Sequence, residues 1–167
     1  TILSMFLKVL CLATLVAVLC GCGAQSPTQK PTLLATAPPR NFTITQLAYR
    51  DGKLSDLLKA EAQKAAALGR KPFVEFGASW CPPCIAIEQS LDDPRMAEAF
   101  KNTYIIQLDF DEWKPHLAGT DFRVVAIPIY YEIDKNGRST GRTVSGGSWG
   151  ADTPENMAPV LKSYFQK

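Results

Sequence analysis

Cys81 and Cys84 form a C-x-x-C pair within Phe76-Gly77-Ala78-Ser79-Trp80-Cys81-Pro82-Pro83-Cys84. Thiols at that spacing can pass reversibly between dithiol and disulfide, provided the chain presents one of them as a thiolate. The flanking sequence suits that task. Pro72 to Gly77 reads as a short buried strand ahead of the pair. A helix is expected to begin near Cys81 and run through Ile85, Ile87 and Leu91. The first cysteine then sits at a helix N-terminus, where free N–H groups and the helix dipole stabilise the thiolate that attacks a disulfide. Cys84 lies one turn inside, close enough to resolve the mixed disulfide. Pro82 and Pro83 fall where a helix start has no intrahelical use for an N–H, and they stiffen the loop. The same pair could instead be half of a zinc site or a static disulfide. Zinc wants about four ligands, and His116 is the chain's single histidine. A static bridge over so short a loop would constrain little of the unfolded chain.

The elements that must position this pair can be read from periodicity. Phe42, Ile44, Leu47 and Tyr49 suggest a first strand or its approach, and Asp51-Gly52 a turn. Leu54, Leu57, Leu58, Ala62, Ala65 and Leu68 recur at helical spacing, with Gly69 as the stop. Asp92-Asp93-Pro94 breaks the cysteine helix and caps a second short helix through Met96, Ala99 and Phe100. Tyr104 to Phe110 reads as a core strand, and Trp113 to Phe122 as a loop with a short helix. Ile129 to Ile133, the turn Asp134-Lys135-Asn136-Gly137 and Arg142 to Ser145 read as a hairpin. Pro154 opens a last helix carrying Met157, Val160, Leu161 and Phe165. This order predicts an α/β fold, a central mixed sheet with helices on both faces.

The N-terminus reads as an address. Met5 reads as its start, Lys8 supplies a positive charge, and Val9 to Cys20 is apolar apart from Thr14, the form of a signal peptide. A spanning helix needs roughly 20 apolar residues. Leu19-Cys20-Gly21-Cys22 resembles the bacterial lipobox, which, against the alternative of an ordinary secretory signal cut near Gly23-Ala24, implies cleavage after Gly21 and a lipid on Cys22. Residues 1–21 are then signal peptide and residues 22–41 an anchor and proline-rich linker, with Pro27, Pro31, Pro38 and Pro39. Extended, such a linker reaches roughly 55 Å. Residues 42–167 form the globular domain. Of five cysteines, two leave with the signal and one carries the lipid, so a single redox pair remains. Lipid attachment implies the periplasmic side of a bacterial envelope, and the lack of an aspartate after Cys22 favours the outer membrane of a Gram-negative cell. The net charge of +2 argues against a nucleic-acid partner.

The motif around the pair resembles the active site of the thioredoxin superfamily, over roughly Lys53 to Lys167. Ile127-Pro128 stands where that family keeps its cis-proline, and Gly146-Gly147 follows the hairpin. Leu91-Asp92-Asp93-Pro94-Arg95-Met96 and the strand Ile-Gln-Leu-Asp are most similar to the C-terminal domain of the disulfide reductase DsbD. The resemblance implies a thioredoxin fold with Cys81 as attacking and Cys84 as resolving thiol. It implies that Glu75, six residues before the first cysteine, is a buried carboxylate that deprotonates Cys84 through water. It places Pro128 against the disulfide, the Ile127 backbone against substrate, and Trp80 beside the cysteines as a lid. The implied function is thiol–disulfide exchange on extracytoplasmic protein disulfides, reduction favoured over oxidation, fed by a membrane electron donor. The disulfide itself serves as redox centre, with no other cofactor. The alternatives are a copper-handling protein of this fold, which would need His116 beside the cysteines, and a non-catalytic interaction module with a structural disulfide.

Overall fold

The computed structural model describes residues 40–167. The expected signal peptide, the Cys22 anchor and nearly all of the linker lie outside the described residues. Arg40 and Asn41, read as the linker's end, already touch the domain: Arg40 pairs with Asp92 at 2.6 Å, and the Asn41 carbonyl accepts the Asn102 N–H at 2.8 Å.

The elements in chain order are β1 (Thr43–Leu47), α1 (Leu54–Ala67), β2 (Lys71–Gly77), α2 (Pro82–Gln89), α3 (Pro94–Ala99), β3 (Thr103–Asp109), α4 (Phe110–Trp113), β4 (Ile129–Ile133), β5 (Ser139–Ser145) and α5 (Pro154–Phe165). The strands form one mixed sheet in the order β1-β3-β2-β4-β5. β1, β3 and β2 run parallel, and β4 is antiparallel to both β2 and β5. Helices cover both faces, giving the thioredoxin α/β fold.

Alternation along β2 divides the core. Val74 and Phe76 pack with Leu54, Leu58, Ile106 and Leu108 under α1, while Phe73 packs with Ile87, Met96, Ile105, Leu161 and Phe165 under α2, α3 and α5. Phe73, Val74, Phe76, Ile105 and Ile106 have no solvent exposure, each contributing about 1.5–3 kcal/mol of burial. β2 is central and buried on both faces, so its run reads as continuous rather than alternating.

Several boundaries differ from the sequence expectation, three of them for identifiable reasons. β3 stops at Asp109, not Phe110, because the Asp109 carboxylate turns to accept the N–H groups of Asp111 and Glu112 and caps α4. α2 ends at Gln89, and Leu91, though still buried, lies beyond it. β5 begins at Ser139, three residues before the hydrophobic signal, since backbone pairing with β4 does not require apolar side chains. The β4–β5 turn is set by Asp134, whose Oδ1 accepts from the N–H groups of Asn136 and Arg138. Its Gly137 has φ +76° and lies against α1; a Cβ there would come within 2.5 Å of the Lys59 nitrogen. Only glycine fits both the backbone and that contact.

Candidate active site

β2 delivers the chain to Cys81, which caps α2 with extended backbone (φ −85°, ψ 110°). Pro82 and Pro83 occupy the first helical turn. Cys81 and Cys84 are joined as a disulfide with Cα atoms 5.3 Å apart, and the Cys84 N–H donates to Cys81 Sγ at 3.3 Å. That donor, together with the helix dipole, would favour negative charge on this sulfur once the bond is opened. The pair is buried, Cys81 at 2% and Cys84 at 4% exposure, and packs with Ala78 and Ile127.

The peptide between Ile127 and Pro128 is cis. Pro128 is fixed against β5: its carbonyl accepts the Gly146 N–H at 2.9 Å, and a Cβ at Gly146 would approach Pro128 Cδ to 3.0 Å. The stretch before it carries exposed Val125 and Ala126 into half-buried Ile127, an apolar rim beside the sulfurs. Trp80 completes the rim. Its indole is 59% exposed, and its Nε1–H donates to Asp111 Oδ2 at 2.6 Å. Trp80 is thus held by a polar tether to α4 rather than packed into the core. Asp111 escaped the sequence reading because a single aspartate after a strand carries no distinguishing signal.

Behind the pair, Glu75 is buried on β2. It lies on the α2 face, in register with Gln107 of β3 and Tyr130 of β4. The Gln107 amide donates to Glu75 Oε2 at 3.0 Å. Burial pushes the Glu75 carboxyl up to about 7; the Gln107 amide and the nearby Tyr130 hydroxyl oppose that push, and the charge of Glu88 adds to it. A methyl group on Gly77 would stand 3.5 Å from Cys84 Sγ and 3.7 Å from Glu75 Oε1, so carboxyl and sulfur flank the same point. Both line a cavity of about 250 Å³ shared with Gln46, Glu88 and Gln107. Room and polar partners for a bridging water are therefore present. Gln107 and Tyr130 had no part in the sequence reading of the site. The available signal was a glutamine within Ile-Ile-Gln-Leu-Asp, a polar residue flanked by apolar ones in a core strand.

His116 and the two other tryptophans lie apart from this centre. His116 stacks on Tyr49 with ring centroids 3.5 Å apart and lines a different cavity, which neither cysteine reaches. Trp113 is fully buried and donates its Nε1–H to the Leu47 carbonyl at 3.0 Å, so it is a packing anchor. Trp149 is buried under α5 with its Nε1–H on Asp152. Among the described residues no group of three His, Cys, Asp or Glu side chains is placed to hold a metal, and none of the helices is long and apolar enough to cross a membrane.

Comparison with known proteins gives a consistent family. Thioredoxin H2 of Arabidopsis thaliana is 37% identical over 71 residues, which cover 42% of this chain and 50% of that protein, so the chain spans half of that relative's length. Thioredoxin of Echinococcus granulosus is 33% identical over 91 residues, 54% of this chain and 80% of that one. Among solved structures, Schistosoma mansoni thioredoxin aligns with a TM-score of 0.46 at 21% identity, covering 73% of this chain and 95% of that one. A poplar thioredoxin h aligns with a TM-score of 0.43 at 17% identity, covering 62% and 82%. The thioredoxin family model matches residues 57–153, more than half of the sequence and all of the cysteine site: this chain belongs to the thioredoxin family.

Proposed function

We propose that this protein is a thiol–disulfide oxidoreductase acting on protein disulfides through Cys81 and Cys84. The observation that carries the reading is the Cys81–Cys84 disulfide at the start of α2, with the Cys84 N–H on Cys81 Sγ. In the reducing direction the Cys81 thiolate attacks a substrate disulfide, and one substrate sulfur leaves as a thiolate. Glu75 takes the Cys84 proton through water, the Cys84 sulfur closes on Cys81, and the second substrate sulfur departs. A dithiol donor then restores the pair. Ile127, Pro128 and Trp80 form the substrate rim, with Pro82 and Pro83 stiffening its floor. Insulin reduction with a dithiol donor tests the reading: Cys81→Ser loses activity, and Cys84→Ser accumulates mixed disulfides with substrate. Full activity in Cys81→Ser would overturn it.

The reductive direction is favoured by the likeness of Leu91 to Met96 and of β3 to the C-terminal domain of DsbD. A potential near the thioredoxin value of about −270 mV fits a reductase, and one near about −120 mV an oxidase. The leader and the Leu-Cys-Gly-Cys segment support a lipid anchor on Cys22, a place on the periplasmic side of a bacterial envelope, and extracytoplasmic protein substrates with a membrane electron donor. Labelled palmitate should enter the wild type and not Cys22→Ala; equal labelling would remove the anchor.

A further inference from the structure

The Tyr130 hydroxyl is the one buried side-chain polar atom without a hydrogen-bond partner among the described residues. Its ring needs no hydroxyl for packing, since it sits edge-on to Phe100 and Phe165 in an apolar cluster that phenylalanine would fill equally well. An orphaned buried hydroxyl is costly and calls for a reason. Its position supplies one. Tyr130 pairs with Glu75 across β4 and β2, on the face where the cavity joins the carboxyl to Cys84.

The groups facing Glu75 leave it short of donors once it ionises. β3 offers the Gln107 amide, already on Oε2, and Asp109 at the cavity wall. α2 offers Cys84 and Glu88, the loop before it the Ser79 hydroxyl, β1 offers Gln46, and no cationic side chain lines the cavity. From α5, the Tyr164 hydroxyl is committed to the carbonyls of Tyr130 and Arg142. A buried carboxylate needs more than one donor to persist, and Tyr130, in register with Glu75 on β4, is the buried donor with no other partner among the described residues.

We propose that Tyr130 is a positioning residue whose hydroxyl donates to the Glu75 carboxylate when that side chain ionises. The inference rests on the reading of Glu75 as the group that exchanges a proton with Cys84. As the mixed disulfide resolves, the Cys84 proton passes to Glu75, the Cys84–Cys81 bond forms, the bond from Cys81 to the substrate sulfur breaks, and the substrate leaves as a thiolate. Before that step Tyr130 holds the charged carboxylate, and after it the hydroxyl is released. The Cys84 pair is oxidised and the substrate disulfide reduced, so no further reactant enters.

The test is Tyr130→Phe, with the Glu75 carboxyl carbon followed by NMR in the disulfide form, where no thiol titrates. Loss of the donor should move the Glu75 midpoint upward by about one pH unit. The pH profile of mixed-disulfide resolution should move with it, to a roughly five-fold slower step at pH 7 that recovers at high pH. An unchanged Glu75 midpoint overturns the proposal. A shifted midpoint with an unmoved rate profile upholds the Tyr130 contact and removes Glu75 as the Cys84 base. In the wild type, the infrared C–O stretch of labelled tyrosine should change in the same pH step and stay constant in Glu75→Gln; its constancy in the wild type would also overturn the proposal.

Discussion

Glu61 and Glu75 are both buried glutamates, each beside a tyrosine from a neighbouring strand, and the chain treats them oppositely. On the α1 face, Glu61 accepts the Tyr104 hydroxyl at 2.6 Å and pairs with Lys64 at 2.6 Å. Tyr104 responds by moving up to about 12, through burial and then the Glu61 bond. On the α2 face, Glu75 has the Gln107 amide, an unengaged tyrosine hydroxyl and the acidic Glu88. The first glutamate is supplied with donors and belongs to the fold. The second is left short of them beside a sulfur, and its proton is correspondingly easy to move near neutral pH. Perturbed groups of this kind mark chemistry when they share a cavity with a nucleophile.

The widest separation between the two should appear on removing charge from Glu75. Its folded value near 7 lies above the ordinary 4.5. Below about pH 4.5 the folded and unfolded chains both hold the proton. As pH rises the unfolded chain releases it first, so stability is lost progressively until pH passes 7 and stays lost above. The loss amounts to about 3 kcal/mol. Urea unfolding at pH 4 and pH 8 should show Glu75→Gln gaining about that much on the wild type at the higher pH only, while turnover falls. Parallel pH dependence in the two proteins would erase the distinction drawn here.

A smaller effect is expected from the satisfied partner. At pH 4, Tyr104→Phe strips Glu61 of a buried donor and should cost about 2 kcal/mol in the same unfolding assay, whereas Tyr130→Phe, facing a protonated Glu75, should cost nothing. Equal losses would make the two tyrosines equivalent. The least is expected at the exposed tether: Asp111→Ala should alter stability by no more than about 0.5 kcal/mol, while freeing Trp80 raises the KM for insulin roughly two- to three-fold. An unchanged KM would detach Trp80 from substrate binding.

The division between the two faces was only partly legible in the sequence. Leu54, Leu58, Ala62 and Ala65 announce α1 through their spacing, and Asp93-Pro94 announces α3, because these signals are local. Cys81 and Cys84 needed no tertiary information beyond a strand before and a helix after. Gln107 and Tyr130 are different. Each is unremarkable in its own strand and meets Glu75 only through the register of β3 and β4 on β2, which no local pattern encodes. Glu61 carries no local signal for the same reason: its partner Tyr104 lies 43 positions away. The start of β5 was missed where Ser139 pairs with Ile133 and the register then shifts before Thr143 meets Tyr131.

The contact of Gly137 with the α1 backbone bears on how the protein can be handled. Hairpin tips ordinarily accept inserted tags, labels and spliced domains. This one is wedged: any side chain meets Lys59 or Leu58, and an insertion would prise the hairpin from the helix. Because β4 continues directly from Pro128, that leverage would be felt at the rim beside the sulfurs. Gly119 and Gly150 have open space around an added carbon but φ values of +77° and +78°, so a reporter is better inserted beside them than substituted for them.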